Sequence, residues 1–375
     1  MKILYCIPDL GYGGAERQLS YLAAELSVMG HEVHVASRHG GPNLDRMKSA
    51  GVVWHCLGGT SNRDPFIFFR LVGLMRKLKP DVVQTILTPM DIMGGAAALL
   101  TRTRWVLRES SSAPLYAGRW RNSVRLALGR LADAIVSNSA GGYNYWRMAS
   151  GERPLYVIPN AIPLDEIALA DAGRAKGFAF DPAEKVVLYA GRMDSGKNVE
   201  NLIAALAYLA DEIPFAAIIC GDGPRRRQVE RMAAELGVAH RIFFTGYVEN
   251  LWGLIKQADA LVSLSRFEGC PNVVLEAMAC GCPLVVSDIP AHREILDERS
   301  ALFTDPDNPE DVAAALKATL VHDDMARGRA RAARGRAAGR PVEATARLYE
   351  QLYLSLHGEA CDLPQGARAS DIEAA

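Results

Sequence analysis

The chain has 375 residues, of which 49% are hydrophobic and 23% are charged, and its formal net charge is −1. This composition predicts a soluble globular protein and excludes disordered and fibrous classes, while the length favours two domains over one. No apolar run reaches the roughly 18–20 residues that cross a bilayer, and a nucleic-acid partner is not expected.

The distribution of charge and cysteine adds two expectations. Residues 1–160 contain 19 Lys and Arg against 11 Asp and Glu, whereas residues 161–375 contain 23 against 32. The basic first half favours an anionic surface or substrate, with chance distribution of solvated charge as an equal alternative. The seven cysteines are scattered and form no C-x-x-C pair, which indicates reduced thiols and a cytoplasmic location.

Short apolar runs alternate with amphipathic helical patterns through the first half of the chain. The predicted strands are Lys2–Pro8, Glu32–Ser37, Val52–Cys56, Val82–Ile86, Trp105–Arg108, Ala134–Asn138 and Tyr156–Pro159. The first run leads directly into a glycine-rich loop and lacks a cleavage site, so it predicts a strand and not a signal peptide. Predicted helices between the strands include Glu16–Val28, Pro65–Lys77 and Trp120–Leu131. Such alternation predicts a parallel sheet covered on both faces.

A second series of the same kind follows a polar stretch near residues 165–184. Its predicted strands are Val186–Ala190, Ala216–Cys220, Ile242–Thr245, Ala260–Leu264 and Pro283–Ser287. The sequence therefore predicts two doubly wound, Rossmann-like α/β domains, residues 1–165 and 166–340, that bind ligands at the carboxyl ends of their strands. We expect a last helix, 341–357, to pack back on the first domain, and residues 358–375 to form a mobile tail.

Three loops that follow predicted strands could contact a ligand through backbone or cations. In PDLGYGGAERQL, Gly13 and Gly14 let the backbone approach an anion at a helix start, although a plain tight turn is favoured for this loop alone. In VVLYAGRMDSGKNVENLIAAL, Arg192 and Lys197 lie near a helix start, which favours a diphosphate; a pair of solvated loop charges is the alternative. Gly246, in FFTGYV, ends a further strand, where a flat base has room against the backbone.

Two glutamates lie in the segment SRFEGCPNVVLEAMACGCPLVVSD. Glu268 follows a predicted strand, whereas Glu276 stands inside an apolar helix that ends at Gly281. Eight helical residues would separate the two by about 12 Å, which disfavours a hydrolytic carboxylate pair. The arrangement instead favours binding of hydroxyl groups at opposite ends of an anionic ligand, with a capping Glu268 and a structural, buried Glu276 as the alternative.

These motifs, in this order, resemble the retaining glycosyltransferases of family 4, which have the GT-B fold. The resemblance runs from GGAER through VIPNAI, GR…KN, GDGP and FEG.PNVVLEAMA.G.P to HREIL, and so covers essentially the whole chain. It implies a nucleotide-diphosphate sugar held mainly by the second domain, with no cofactor and no metal. It also implies that fixed cations stabilise the leaving diphosphate.

The resemblance assigns roles to individual residues. It implies that Arg192, Lys197 and Glu268 are catalytic, because the two cations hold the diphosphate while Glu268 binds sugar hydroxyls. Glu276 takes the ribose hydroxyls. The other donor-binding residues are Gly13, Gly14, Gly246, Gly269, Cys270, Asn272 and Val273.

The chain departs from the family at the end of the strand predicted near Trp105. Many relatives carry a histidine there, whereas this chain has Arg108 and Glu109. We expect both to contact the acceptor or the sugar, and an internal ion pair is the alternative.

We expect transfer of a hexose or N-acetylhexosamine from a nucleotide-diphosphate sugar, UDP favoured over GDP. The expected acceptor is a glycan or lipid-linked glycan in the synthesis of surface polysaccharide or lipopolysaccharide. The basic and apolar segments Phe66–Lys79 and Arg119–Arg130 either contact the anionic inner face of the cytoplasmic membrane or only pack on the first sheet. The alternatives are a nucleotide-sugar epimerase or hydrolase, and a non-catalytic glycosyltransferase-like partner subunit.

Overall fold

A computed structural model describes residues 1–62, 64–111, 120–149, 151, 153–172 and 184–359. The chain divides into two compact units. The first comprises Met1–Ala161 and the segment that begins at Arg340, and the second comprises Ile162–Gly339. The expected mobile tail, 358–375, lies outside the described residues from position 360 onward, as does Arg119 in the second basic segment.

The first unit is built on a parallel sheet of seven strands in the order β3-β2-β1-β4-β5-β6-β7. The strands are β1 Lys2–Cys6, β2 Glu32–Ser37, β3 Val53–Cys56, β4 Val82–Ile86, β5 Arg104–Glu109, β6 Ala134–Ser137 and β7 Leu155–Val157. The helices are α1 Gly14–Val28, α2 Leu44–Ser49, α3 Phe66–Leu78, α4 Thr88–Thr101, α5 Trp120–Gly129 and α6 Ala140–Arg147.

The second unit repeats this plan with a parallel sheet of six strands in the order β10-β9-β8-β11-β12-β13. The strands are β8 Lys185–Ala190, β9 Phe215–Cys220, β10 Ile242–Gly246, β11 Ala260–Ser263, β12 Leu284–Ser287 and β13 Leu302–Thr304. The helices are α7 Leu164–Leu169, α8 Val199–Ala210, α9 Arg226–Glu235, α10 Leu251–Gln257, α11 Asn272–Cys280, α12 Pro290–Arg293, α13 Pro309–Val321 and α14 Asp323–Ala337.

Both faces of each sheet are covered by helices, which explains why the strands are almost continuously apolar. In the first unit, one face of the sheet packs in a cluster that contains Ile3, Tyr5 and Val106, and the other face in a cluster that contains Leu4, Trp105 and Leu107. Alternate residues of β1 and β5 therefore belong to opposite faces, as the period of a strand requires. The prediction of two doubly wound, Rossmann-like α/β domains is confirmed.

The last described helix, α15 Val342–Ser355, belongs to the first unit. Its Ala346, Tyr349, Leu352 and Tyr353 are fully buried in the same cluster as β1. The Tyr353 hydroxyl donates to Gln84 Oε1 at 2.7 Å and lies 3.0 Å from the Tyr5 hydroxyl. Helix α15 thus completes the core of the first unit, to which β1 also belongs.

Candidate active site

The two central strands of the second sheet, β8 and β11, mark the point where the strand order reverses. Ala260 pairs with Val187 and Leu261 with Leu188, so the two strands are neighbours. The helix after β8, α8, leads to β9 on one side of this pair, whereas the helix after β11, α11, leads to β12 on the other side. In open α/β sheets the loops that diverge at such a point form the ligand crevice. Here those loops contain Arg192 and Lys197 after β8, and Glu268 after β11.

The loop after β8 is shaped by its own polar groups. Asp194 Oδ1 accepts hydrogen bonds from the backbone N–H of Gly196 at 3.0 Å and of Lys197 at 3.2 Å. Asn198 follows with a left-handed backbone, φ 55°, and its buried side chain donates to the Pro306 carbonyl at 2.5 Å. Asparagine tolerates that conformation better than most residues. These contacts fix Lys197 directly before α8.

Lys197 and Glu268 form an ion pair between Nζ and Oε1. Ser265 Oγ donates to the same carboxylate oxygen at 2.7 Å. Burial alone would raise the pKa of Glu268, but the Lys197 ammonium and these hydrogen bonds outweigh it and lower that pKa below its usual value. Glu268 is therefore held as a carboxylate at neutral pH.

Arg192 belongs to the same loop but differs from Lys197 in exposure. Its side chain is 71% exposed and lies 3.6 Å from Asp194, measured from Nε to Oδ2. An exposed guanidinium near the crevice costs little to hold and is free to turn toward an anion. The structure thus pairs Lys197 with Glu268 and leaves Arg192 exposed in the same loop.

The glycines after β8, β9 and β10 allow their loops to interlock. A Cβ on Gly221 would come within 2.0 Å of the Gly191 carbonyl oxygen, and Gly221 has φ 117°. Its N–H donates to the Gly246 carbonyl at 2.7 Å, and Gly246 also has a left-handed backbone, φ 69°. A side chain is excluded by space at Gly221 and disfavoured by the left-handed backbone at Gly246, so backbone lines this edge of the sheet.

Helix α11 contains the second carboxylate of the motif. It begins at Asn272 and ends at the left-handed Gly281, φ 72°, as the sequence predicts. Glu276 is only 3% exposed, and Gly269 before the helix is buried. Cys270 and Val273 are half-buried and pack on the core beneath the helix, whereas Asn272 is half-buried at its first turn.

Sequence reasoning missed two residues beside this site. His292, in α12, is fully buried, and its Nδ1 lies 2.8 Å from the Ser287 carbonyl oxygen. Ser287 Oγ donates to the Ser265 carbonyl at 2.6 Å, and Ser265 in turn contacts Glu268. The motif HREIL contains this histidine, but no local pattern connects it through Ser287 and Ser265 to Glu268, more than twenty positions earlier in the chain.

In the first unit, Gly13 caps α1 and Gly14 begins it. The space over Gly13 is filled by a carboxylate, because a Cβ there would come within 2.1 Å of Glu16 Oε2. Burial raises the pKa of Glu16. A phosphate group could approach this helix start only after the Glu16 side chain turns away, which the sequence did not reveal.

For Glu109 the structure shows the internal ion pair that was the alternative. Its fully buried carboxylate accepts from Arg125 Nη1 at 2.7 Å and Trp146 Nε1 at 2.9 Å through Oε2, and from the Ser111 N–H at 2.8 Å through Oε1. Arg125 also contacts Asp91 at 2.6 Å. Both oxygens thus bind protein groups, so the geometry corrects the expectation of a direct acceptor contact.

Arg108 is also buried, on the opposite face of the sheet from Glu109. Its Nη2 donates to Asn160 Oδ1 at 3.0 Å, and its guanidinium carbon lies 5.9 Å from the centre of the Tyr349 ring. At 3% exposure it lies beneath α15 rather than at the surface. The structure therefore assigns Arg108 contacts within the first unit.

Two family models match this chain in tandem. Residues 12–166 match "Glycosyltransferase Family 4", and residues 175–336 match "Glycosyl transferases group 1". The chain belongs to the glycosyltransferases of the family 4 type. The family recognised from the sequence motifs is thereby confirmed, as is the expectation of an enzyme that transfers glycosyl groups, whereas retention of configuration stays a prediction.

Relatives of this glycosyltransferase match along most of its length. One is the Campylobacter jejuni N-acetylgalactosamine-N,N'-diacetylbacillosaminyl-diphospho-undecaprenol 4-alpha-N-acetylgalactosaminyltransferase, 26% identical, with 87% of this chain and 92% of the relative covered. Another is the lipopolysaccharide core biosynthesis glycosyltransferase LpsE of Rhizobium meliloti, 26% identical, with 84% and 88% covered.

Solved structures share the glycosyltransferase's fold. The Anabaena protein HepE, solved in complex with UDP and glucose, superposes with a TM-score of 0.83 at 19% identity, covering 95% of this chain and 100% of HepE. WaaG, a glycosyltransferase involved in lipopolysaccharide biosynthesis, gives 0.73 at 16% identity, covering 95% and 100%. Within the described residues, no helix of the glycosyltransferase is both long and apolar enough to span a bilayer.

Proposed function

We propose that this glycosyltransferase moves a hexose or N-acetylhexosamine from a nucleotide-diphosphate sugar to an acceptor with retention of anomeric configuration. The observation that carries the proposal is the Lys197–Glu268 pair at the point where the second sheet reverses its strand order. A cation and an ionised carboxylate side by side suit a ligand that has an anionic leaving group beside a sugar rich in hydroxyls.

The chemistry follows from the charges. As the glycosidic bond to the diphosphate breaks, the sugar becomes cation-like and the diphosphate leaves as an anion. Lys197 and Arg192 stabilise that leaving group, which lowers the barrier because the ammonium is already oriented. Glu268 holds sugar hydroxyls and Glu276 the ribose, and the leaving phosphate accepts the acceptor's proton on the same face. The two cations do the work that a metal ion performs in other transferases, so we propose metal-independent transfer without a cofactor.

The remaining donor contacts are backbone contacts or lie at the start of α11. Gly246 and Gly269 leave room for the nucleotide, and the segment from Cys270 to Val273 brings the helix start toward sugar and phosphate. We retain Gly13 and Gly14 as phosphate contacts of the first unit, which requires the Glu16 carboxylate to move.

For the nucleotide of the donor we favour UDP, since HepE was solved with UDP and glucose. For the acceptor we favour a lipid-linked glycan, since one relative is named for a diphospho-undecaprenol glycan and another for lipopolysaccharide core biosynthesis. Surface-glycan assembly in the cytoplasm, at the inner face of the membrane, is the proposed setting.

Helix α3 provides the surface that would meet the membrane. Ile67 and Leu71 pack inward, whereas Phe66 and Phe69 are 63% and 66% exposed, and Arg76 and Lys77 share that outer face. Exposed aromatic and basic residues on one helix face favour anionic lipid. In α5, Trp120 is 71% exposed, but Arg125 is buried in its ion pairs and therefore does not contribute to such a surface.

A vesicle experiment tests this surface. The variant Phe66→Ala/Phe69→Ala should sediment less with phosphatidylglycerol vesicles than the unchanged protein. Tyr208→Ala, an exposed aromatic of the second unit, is the matched control and should sediment normally. Equal sedimentation of all three proteins would rule out α3 as the contact.

A transfer assay tests the proposed activity and separates it from the alternatives. The protein is incubated with UDP-glucose, UDP-galactose and their N-acetyl counterparts, with and without an undecaprenyl-diphosphate-linked sugar, and products are analysed by NMR. We expect a new α-linked product only when acceptor is present. Conversion of donor without acceptor would identify an epimerase or hydrolase, an inverted anomeric centre would exclude retention, and no reaction with any donor would favour a non-catalytic subunit.

A further inference from the structure

We infer that His292 and Ser287 are positioning residues that fix the Glu268 carboxylate through Ser265, so that one of its oxygens is held by the protein and the other is presented to the donor sugar. The inference deepens the proposed function and rests on it, because it assumes that Glu268 contacts the sugar. It is carried by a chain of hydrogen bonds that connects the ends of β11 and β12 with α12.

The first link fixes the tautomer of the histidine. His292 Nδ1 lies 2.8 Å from the Ser287 carbonyl oxygen and 3.2 Å from Ser287 Oγ. A carbonyl oxygen only accepts, so Nδ1 carries the proton. The other ring nitrogen, Nε2, then accepts from Ser263 Oγ, which lies at the long distance of 3.5 Å. Burial lowers the pKa of His292, which keeps the ring neutral at pH 7.

The next links give the chain a direction. Ser287 Oγ uses its one proton at the Ser265 carbonyl, at 2.6 Å, so toward His292 it acts as an acceptor. Ser265 Oγ uses its proton at Glu268 Oε1, at 2.7 Å. Each donor therefore points from the histidine toward the carboxylate. The link at Ser265 passes through its backbone, because Ser287 holds the Ser265 carbonyl while the Ser265 hydroxyl holds Glu268. The bond from Ser287 thus fixes the backbone from which the Ser265 hydroxyl donates.

The last link concerns which oxygen of Glu268 is used. Across the residues that the structure describes, the Lys197 ion pair and the Ser265 hydrogen bond both go to Oε1. Oε2 is thereby directed to other partners, and a sugar hydroxyl is a suitable donor for it. A partial rotation of the carboxylate would weaken both contacts, so Lys197 and Ser265 set the plane of the carboxylate and thereby the position of the oxygen that meets the sugar.

Leucine and asparagine at position 292 separate this role from packing. His292→Leu keeps the volume but removes the Nδ1 donor, whereas the amide of His292→Asn places an N–H near the position of Nδ1. We expect kcat/KM for the nucleotide sugar to fall about 10- to 100-fold in the leucine variant, because a shifted reacting group costs that much. The asparagine variant should recover most of the loss.

UDP binding separates a general structural defect from a loss of positioning. A general defect would weaken UDP binding, whereas the loss of positioning alone would not. UDP has no sugar to meet Glu268, so the leucine variant should bind UDP as tightly as the unchanged protein while its turnover falls. Ser263→Ala, which removes only the long contact to Nε2, is the matched control and should keep kcat/KM within about threefold of the unchanged enzyme.

A double-mutant cycle tests whether the residues act in one chain. If they do, Ser265→Ala and His292→Leu together should cost no more than the larger single loss. Additive losses, unchanged kcat/KM in His292→Leu, or a parallel fall of UDP affinity and turnover would each overturn the inference. Failure of the proposed function is recognised separately, because the unchanged protein would then transfer no sugar. Intact transfer in Glu268→Gln would instead show that Glu268 does not contact the sugar.

Discussion

At the scale of single residues, the second unit shows why charge type alone does not define a site. Lys185 and Lys197 stand at opposite ends of the same strand–loop segment, and both form ion pairs with carboxylates. Lys185 begins β8 at the amino edge of the sheet, whereas Lys197 follows the strand at the carboxyl edge, where ligands bind. Position relative to the sheet separates a structural cation from a functional one.

Removal of each cation should therefore have different consequences. Lys197→Ala should lower kcat by at least about 100-fold, because a fixed charge at the leaving group is lost, while the melting temperature changes little. Lys185→Ala removes contacts with Asp259 and Asp323 and should leave kcat unchanged. Steady-state kinetics and thermal melts of both variants check this. Equal turnover in the two would contradict the assigned role of Lys197.

At the scale of elements, buried polar clusters fix helices and strands of the first unit in place. Arg125 joins α5 to Asp91 of α4 and Glu109 of β5, and all three side chains are fully buried. Burial raises the pKa of Asp91 to about 6 even though Arg125 lowers it. In the sequence, Arg125 is one of several basic residues in the segment Arg119–Arg130, and only the tertiary fold reveals its two partners.

Loss of the shared cation should destabilise the first unit strongly. Arg125→Met leaves two buried carboxylates without their cation, which typically costs about 3–5 kcal/mol. Arg130→Met, an exposed arginine just after the same helix, should stay within about 0.5 kcal/mol. Urea denaturation gives both free energies of unfolding. A loss below about 1 kcal/mol for Arg125→Met would show that the cluster does not stabilise the unit.

A pair of histidines joins strands β2 and β3. His34 Nδ1 lies 2.9 Å from His55 Nε2, and His34 Nε2 lies 3.0 Å from Glu32, which also pairs with Lys2. Burial lowers the pKa of His55, as do the nearby charges of His34 and Lys77. A depressed histidine pKa means that the unfolded chain takes up the proton first, so stability is complete above about pH 6.5 and falls as the pH drops below it.

Glutamine at position 55 should remove part of that pH dependence. Its amide can replace Nε2 in the contact with His34 but does not titrate. Between pH 7.5 and 5.5 the melting temperature of His55→Gln should fall less than that of the unchanged protein. The exposed His39 provides the control His39→Gln, which should behave as the unchanged protein. Identical pH profiles of the melting temperature for all three proteins would show that His55 does not cause the loss of stability at low pH.

At the scale of the whole molecule, sequence reasoning succeeded where the signal is local. Every strand predicted from an apolar run is present within two residues of its bounds, and Gly281 ends its helix as expected. It missed β13 Leu302–Thr304 and α4 Thr88–Thr101, because the strand is short and the helix is apolar nearly all round. It also missed α7 Leu164–Leu169, which lies in the stretch that was interpreted as a polar linker.

Within the candidate site, the sequence predicted the residues at strand ends but not the contacts between them. Glu268 and Lys197 could be named from their loops, yet their ion pair joins positions far apart in the chain. The contacts of His292, Glu16 and Arg125 depend on packing between elements, and no spacing pattern encodes them. Residues that act through a partner in another element therefore became visible only in the folded chain.

Truncation tests the role of the chain end in the first unit. A chain that ends after Gly358 retains α15 and should unfold like the full chain. A chain that ends after Gly339 loses Tyr349, Leu352 and Tyr353 from the core; at about 1.5–3 kcal/mol for each buried side chain, this approaches the stability of a typical domain. Calorimetric melts should show the first unit's transition lost only in the shorter chain. Its persistence there would mean that α15 is dispensable.

The most direct test of the central claim, a nucleotide-diphosphate site at the ends of β8 and β11, is a calorimetric titration. Purified protein is titrated with UDP, GDP and ADP, first without added metal and then with EDTA. We predict that UDP binds with micromolar affinity and that EDTA does not change this affinity. Lys197→Ala should weaken UDP binding at least about tenfold, whereas Lys185→Ala should bind UDP as the unchanged protein does. Absence of binding by all three nucleotides, or binding that Lys197→Ala leaves intact, would contradict the assignment of the site.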